Sequence, residues 1–256
     1  MSGLNAGARR AQIVQWLQDH GQVQVRDLAD FLGVSEMTVR RDLEYLAREG
    51  TLIRTYGGAL PTSGLNREQP YASKAGEHTG EKERIARYAA SLVKDGDTVL
   101  LDAGSTTLAL ARALRGRKDL LVFTVDLKIA LELCDEPGIR VIVLGGTAQP
   151  EVYTLLGPLV EQNLRGLTTD WAFLGTSAVD AEKGLTTPTL EKVPVKLAIL
   201  QAGRRAVLLA DASKFGRRGT FQICPLSALS QIITDRSLDD EMAEAVREGG
   251  VDLEQV

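Results

Sequence analysis

Residues 29–43, Ala29-Asp30-Phe31-Leu32-Gly33-Val34-Ser35-Glu36-Met37-Thr38-Val39-Arg40-Arg41-Asp42-Leu43, leave few folds open, because they read as two short amphipathic helices pinched around one glycine. Ala29 is small enough for close helix contact, Gly33 tolerates the left-handed backbone of a tight turn, and Val39 faces back into the angle between the helices. Leu28, Phe31 and Leu32 are expected to fill one side of the resulting core. Ser35 stands where an N-cap belongs, ahead of a run in which Val39, Leu43 and Leu46 recur at helical spacing.

At about 100° per residue, Met37, Arg41, Glu44 and Arg48 lie roughly opposite that apolar face, with Thr38 and Arg40 flanking it. Helix-turn-helix proteins present the N-terminal part of the second helix to base edges in the major groove, where arginine bonds guanine bidentately and hydroxyls serve bases or phosphates. The candidate DNA contacts are therefore Ser35, Met37, Thr38, Arg40, Arg41 and Arg48, with Arg54 beyond them. An arginine pair on an isolated helix would be a solvated face. The flanks argue for more: 9–19 read as a helix with Ile13, Trp16 and Leu17 apolar, and 51–59 as a hairpin ending Tyr56-Gly57-Gly58-Ala59. Together they predict a winged helix-turn-helix over 1–60.

Within 1–60, Arg9, Arg10, Arg26, Arg40, Arg41, Arg48 and Arg54 meet Asp19, Asp27, Asp30, Glu36, Asp42, Glu44 and Glu49, so the head is close to neutral within a chain of net charge −4. Nonspecific affinity for DNA should be modest, and two heads on two half-sites, hence a homo-oligomer, are expected. A length of 256 residues with 44% hydrophobic composition suits this small domain plus a medium one. Cys134 and Cys224 stand far apart with no nearby histidine set, which predicts neither a disulfide nor a metal site and suggests that both pack as small hydrophobes. No apolar run approaches the roughly 20 residues that cross a bilayer, and the N-terminus lacks a signal-like core, so no membrane partner and a cytoplasmic location are expected.

Residues 61–80 carry Pro61, Ser63, Gly64, Pro70, Gly76 and Gly80 with little apolar period and read as a linker. Over 81–256 strand-like and helix-like stretches alternate. Helices are predicted at 81–93, 106–114, 127–134, 159–164, 195–201 and 239–248, and strands at 98–101, 120–125, 140–144, 171–174, 206–210 and 231–234. That alternation predicts a parallel sheet in a larger Rossmann-like α/β domain. In such sheets ligands bind beyond the carboxyl ends of the strands. Asp102-Ala103-Gly104-Ser105-Thr106-Thr107 follows a strand and opens a helix, aiming hydroxyls and backbone N–H groups where an anion would be stabilised. An ordinary strand-to-helix turn capped by Ser105 or Thr106 reads equally well. Asp211-Ala212-Ser213-Lys214-Phe215-Gly216 is a second phosphate candidate or a polar surface loop.

With these motifs in place, the chain resembles the DeoR-type bacterial transcriptional regulators. Arg9, Ile13, Leu17, Ser35 and Thr38-Val39-Arg40-Arg41-Asp42-Leu43 match the family's N-terminal signature, and the Gly-Gly-Ala of the wing fits, with Tyr56 where histidine is common. In the second domain Asp102 to Thr106, Gly145-Gly146, Gly157-Pro158, Asp170-Trp171-Ala172-Phe173-Leu174-Gly175 and Ser213-Lys214-Phe215-Gly216 match family blocks in order. The resemblance runs from Arg9 to about Asp235. It implies an effector domain related to sugar-phosphate isomerases that binds a phosphorylated sugar or related metabolite, and a DNA operator as partner, with a repressor's role. Gly104, Ser105, Thr106 and Thr107 would then hold phosphate, Lys214 would supply charge, Asp102 and Asp170 would orient loops or accept sugar hydroxyls, and Lys82 and Lys196 match family positions.

Four departures fall near the expected ligand: Val125-Asp126 where Asn-Asn or Asn-Ser is common, Thr176-Ser177-Ala178 without a frequent glycine, Lys192 where an acid is common, and Pro194, expected to delay the next helix. Asp126 is expected to repel a second phosphate. The rival reading is an isomerase-like enzyme using Asp170, Asp211 and Lys214 for proton transfer with an accessory DNA-binding head. A winged helix has no evident purpose in a small isomerase, and His20 and His78 fall in the head and linker, so no catalytic residues are assigned. A dinucleotide sensor is disfavoured because no Gly-x-Gly-x-x-Gly follows any predicted strand, and no cofactor is expected.

Overall fold

The computed structural model describes residues 6–20, 22–48, 52–55, 57–61, 68 and 70–256. The chain divides into two units, Met1–Asn66 and Arg67–Val256. The first contains helix α1 (Ala6–His20), strand β1 (Val23–Gln24), helices α2 (Val25–Leu32) and α3 (Glu36–Arg48), and strands β2 (Leu52–Thr55) and β3 (Gly58–Pro61). Gly33, at φ 63°, ends α2 with its N–H on the Ala29 carbonyl, the left-handed turn that its lack of a Cβ permits. Ile13, Leu17, Val23, Leu28, Leu32, Val39, Leu43 and Leu46 form the core.

Phe31 departs from its expected place: it is 54% exposed and lies against Trp16, ring centroids 4.1 Å apart, while Trp16 stacks on His20 at 4.4 Å. With Leu28 and Leu32 turned inward one helical turn apart, Phe31 sits at the edge of the stripe. The wing is a three-stranded antiparallel sheet in the order β1-β3-β2. At Gly58 a Cβ would come 1.8 Å from the Val23 carbonyl oxygen, so only glycine lets the two strands meet. Tyr56 and residues 62–67 lie outside the described residues.

The second unit runs α4 (Tyr71–Gly76), α5 (Thr79–Leu92), β4 (Thr98–Leu101), α6 (Ser105–Ala113), β5 (Leu120–Thr124), α7 (Leu127–Leu133), β6 (Ile139–Val143), β7 (Thr147–Ala148), β8 (Leu155–Leu156), α8 (Pro158–Leu164), β9 (Thr169–Leu174), β10 (Ala178–Asp180), β11 (Gly184–Thr187), α9 (Lys192–Ala202), β12 (Gly203–Leu209), β13 (Phe221–Cys224), β14 (Gln231–Thr234), α10 (Asp240–Glu248) and β15 (Asp252–Gln255). Seven strands form one parallel sheet in the order β15-β14-β12-β9-β4-β5-β6. Alternate strand residues enter opposite cores: Leu100, Ala172, Leu174, Leu208 and Ile232 pack with α8, α9 and α10, whereas Val99, Leu101, Val122, Phe173 and Ile233 pack with α5, α6 and α7. This is the α/β sandwich expected from the alternation.

Three features differ from expectation. The stretch read as linker contains α4, whose Tyr71 is buried in the second core, and α5 already begins at Thr79. Pro194 lies inside the first turn of α9, where its missing N–H has no intrahelical acceptor to lose, so the helix starts early instead of late. Cys224 is buried as expected, but Cys134 is exposed at the end of α7. Among the described residues no helix is long and apolar enough to cross a membrane, and no group of three or more His, Cys, Asp or Glu side chains is placed to hold a metal.

Candidate functional site

In the head, Ser35 caps α3: its Oγ accepts the Thr38 N–H at 3.2 Å and lies 2.9 Å from Thr38 Oγ1. The helix then presents Met37, 61% exposed, and exposed Arg41 and Arg48 along one stripe, with exposed Arg40 beside it. Arg40 makes an exposed pair with Glu36 at 3.4 Å. Arg54 differs from the others because its Nη1 donates to the Arg40 carbonyl at 3.0 Å, bracing the wing against α3.

Asp42, the acid of the Thr-Val-Arg-Arg-Asp-Leu block, faces inward. It is buried and grips two arginines of α1, the Arg9 Nε through one oxygen and the Arg10 Nε at 2.8 Å through the other. Arg10 also lies 3.6 Å over the Tyr45 ring. The lock thus fixes α3 to α1 by charge as well as by apolar packing. Sequence reasoning passed over it because partners more than 30 positions apart leave no local period.

In the second unit β4 sits between β5 and β9, so the direction of sheet growth reverses there, and Asp102 follows β4 at this switch point. Asp102 is buried. Its Oδ1 accepts the Ala103 N–H at 2.8 Å, and its Oδ2 accepts the Gly175 N–H at 3.1 Å and the Lys196 ammonium. Lys196 also donates to the Gly175 carbonyl at 2.7 Å, tying the loops after β4 and β9 to α9. A small recess opens beside this knot, lined by Asp102, Ala103, Thr154, Leu156, Lys192, Val195 and Lys196.

Helix α6 starts at Ser105, leaving its first-turn amides without intrahelical acceptors next to this recess. The Gly104 N–H is already engaged, donating to Asp126 Oδ2 at 3.1 Å, and the Thr107 hydroxyl turns onto the Gly104 carbonyl at 3.0 Å. Ser105 and Thr106 therefore carry the only side-chain hydroxyls of the loop that point to neither contact.

Asp126 is fully buried and caps α7 through the Lys128 and Ile129 amides at 2.7 and 3.1 Å. Burial pushes its carboxyl up, opposed by those backbone donors. Each oxygen thus accepts at least one backbone amide, a structural duty that the sequence reading did not foresee.

Lysines crowd the same edge. Lys82 donates to the carbonyls of Lys74 and of Glu77 (2.6 Å for the latter), closing the C-terminal end of α4. Lys214 lies 4.0 Å from Asp211, whose Oδ1 holds the 3₁₀ turn Ala212–Lys214 by accepting the Ser213 N–H at 3.2 Å. Burial pushes the Lys82 and Lys214 ammoniums down, and Asp211 opposes it in both cases. Lys192, one turn before Lys196 on α9, pairs with Glu68 at 3.0 Å, and Glu68 also takes Lys74 at 2.6 Å.

Asp170 does not join this constellation. It lies near the start of β9, at the opposite edge of the sheet, where Oδ2 accepts the Thr98 N–H and hydroxyl at 2.9 and 2.6 Å. Those bonds hold its carboxyl below the ordinary range and pin β9 to β4. The family block runs the length of β9, so Asp170 falls at the start of the strand and Gly175 just beyond its carboxyl end, and only the latter reaches the recess side. Lys82 is likewise a brace for α4, and Glu68 and Lys74, absent from the expected set, stand among the site's charges.

A winged helix-turn-helix with an outward arginine stripe, followed by an α/β domain with a polar recess at its switch point, defines a two-domain DNA-binding regulator. Residues 9–63 match the DeoR-like helix-turn-helix domain and residues 77–236 the DeoR C terminal sensor domain. The chain belongs to the DeoR family of transcriptional regulators. It is 36% identical over 243 residues to the HTH-type transcriptional regulator GlpR of Haloferax volcanii, across 95% of each chain. It is 30% identical over 247 residues to the glycerol-3-phosphate regulon repressor of Escherichia coli, across 96% of this chain and 97% of that one. Among solved structures it is similar to a ribose 5-phosphate isomerase A of Methanocaldococcus jannaschii, with 20% identity over 52% of this chain and 53% of that one and a TM-score of 0.39, too slight a likeness to carry an argument. The relatives alike over their full length are regulators, which sets aside the isomerase reading.

Proposed function

We propose that this regulator is a repressor whose affinity for its operator is set by a small phosphorylated sugar or polyol bound in the recess at the β4–β9 switch point. The observation that carries this reading is that Lys192 and Lys196 both line one polar recess, together with Asp102 and Ala103, the residues that lead into α6. Ammonium groups stabilise a phosphate dianion, and Asp102, buried in the lining, holds Lys196 and the two loops in place. In the head, Met37, Thr38, Arg40 and Arg41 meet base edges, while Ser35 and Arg48 serve the phosphate backbone. A repressor's role is supported by the name of the Escherichia coli relative.

Because the head is close to neutral, two heads act together, and the operator-bound form is a homo-oligomer. The effector controls DNA binding only if it favours one arrangement of the heads over another. Calorimetric titration of the full chain with phosphorylated sugars and their dephosphorylated counterparts tests the reading. Binding confined to the phosphorylated member of a pair supports it, and equal binding of both removes the phosphate from the site.

A further inference from the structure

Glu68 stands outside both matched domains, which end at residue 63 and begin at residue 77. Its carboxylate is nevertheless buried in the second unit, with Oε1 2.6 Å from Lys74 Nζ and Oε2 3.0 Å from Lys192 Nζ. Lys192 lines the recess, so one of the cations facing the ligand space is already taken by an anion belonging to the chain itself. The segment carrying that anion is otherwise held at separable points. Tyr71 donates its N–H to the Glu151 carbonyl at 2.8 Å and meets Tyr153 edge-on at 5.9 Å, and Lys82 closes the C-terminal end of α4. Toward the N-terminus the same segment leads, within a few residues, to the last strand of the head.

We infer that Lys74 and Lys192 form an anion subsite that Glu68 occupies in the ligand-free protein, and that the effector's phosphate takes this subsite by displacing Glu68. The inference rests on the phosphate reading of the recess given under Proposed function. A phosphate near neutral pH carries more charge than one carboxylate and offers three acceptor oxygens, so the buried ammonium of Lys192 and the half-buried one of Lys74 favour it over Glu68. The displacement loosens the segment 68–76 that the chain follows on its way from the head. It also lowers the apparent affinity of the effector, because part of its binding free energy goes into removing an internal competitor.

Inorganic phosphate is the probe. Its binding to the full-length parent and to Glu68→Gln is measured by calorimetry, and amide hydrogen exchange across 68–76 is followed in both proteins with and without phosphate. Displacement predicts that phosphate speeds exchange of 68–76 in the parent, that Glu68→Gln exchanges fast without phosphate, and that Glu68→Gln binds phosphate several-fold more tightly. If phosphate binds the parent but leaves 68–76 unchanged or slows it, displacement is overturned while the phosphate reading stands. Equal affinity in the two proteins overturns it as well. If phosphate binds neither protein, the phosphate reading falls and the inference falls with it. Exchange in the parent alone decides the matter should Glu68→Gln fail to fold.

Discussion

Arg41 and Asp42 are neighbours with opposite duties, and substitutions separate them. Arg41→Ala removes an exposed side chain that faces away from the core of the head. It is expected to weaken operator binding by about 1–3 kcal/mol and to relax sequence preference at one base pair, with the melting transition unmoved. Unchanged footprints and affinity would take Arg41 off the DNA. Asp42→Ala leaves Arg9 and Arg10 without their shared buried partner, and the head should lose on the order of 3 kcal/mol in chemical denaturation. A loss in DNA affinity with full stability would contradict the lock.

At the recess, burial alone would raise the Glu68 carboxyl, but Lys74 and Lys192 outweigh it and hold it at about 2, against an ordinary 4.5. A depressed carboxylate contributes stability that is complete above the unfolded value and is lost as pH falls through the folded one. The stability difference between the parent and Glu68→Gln should therefore be at its full value just above about pH 4.5 and shrink toward about pH 2. Urea titrations across that window check it, and a difference independent of pH would contradict the pairing. Lys192 has the opposite sign: burial, opposed by Glu68, brings its ammonium down to about 8 from 10.5, so affinity for phosphate should fall as pH rises past about 8.

Elements were legible in proportion to their length and apolar period. Helices α3, α5 and α10 and the central strands announce themselves because one or both faces are buried along most of their length. The two-residue β1 carries too few positions to show alternation, and β15 sits at the sheet edge with half its residues facing out. Gly58 marks β1 only in retrospect, through the Val23 carbonyl that a Cβ would strike. Gly58→Ala should accordingly open the wing and lower DNA affinity while the second unit melts as before, which differential scanning calorimetry would resolve. A single unshifted set of transitions would mean that the wing tolerates the methyl group.

The candidate site was legible where its residues belong to one loop and obscure where they come from distant positions. The Asp102 to Thr107 turn can be read from a strand, a glycine and a helix start. By contrast, Glu68 and Lys192 are brought together only by the folding of α4 against the sheet and the placement of α9 over it. Asp170 was misplaced for the related reason that a motif shows which residues travel together and not which end of a strand each occupies. The one trace of Glu68's partner in the sequence is the unusual basic residue at 192.

For the whole molecule, the proposal joins a near-neutral reading head, which calls for several heads acting together, to a second domain whose ligand changes their affinity for DNA. Footprinting should show two protected half-sites separated by whole turns of roughly 10 base pairs, and sedimentation should give an assembly larger than one chain. The most direct test of the central claim is the affinity of the full-length protein for its selected operator duplex, measured by fluorescence anisotropy with and without each of a panel of sugar phosphates. The account predicts that at least one phosphorylated sugar changes that affinity tenfold or more, that its dephosphorylated form does not, and that Lys196→Ala abolishes the response without altering DNA binding in the absence of ligand. An affinity indifferent to every phosphorylated sugar, or equally sensitive to the dephosphorylated ones, would contradict it.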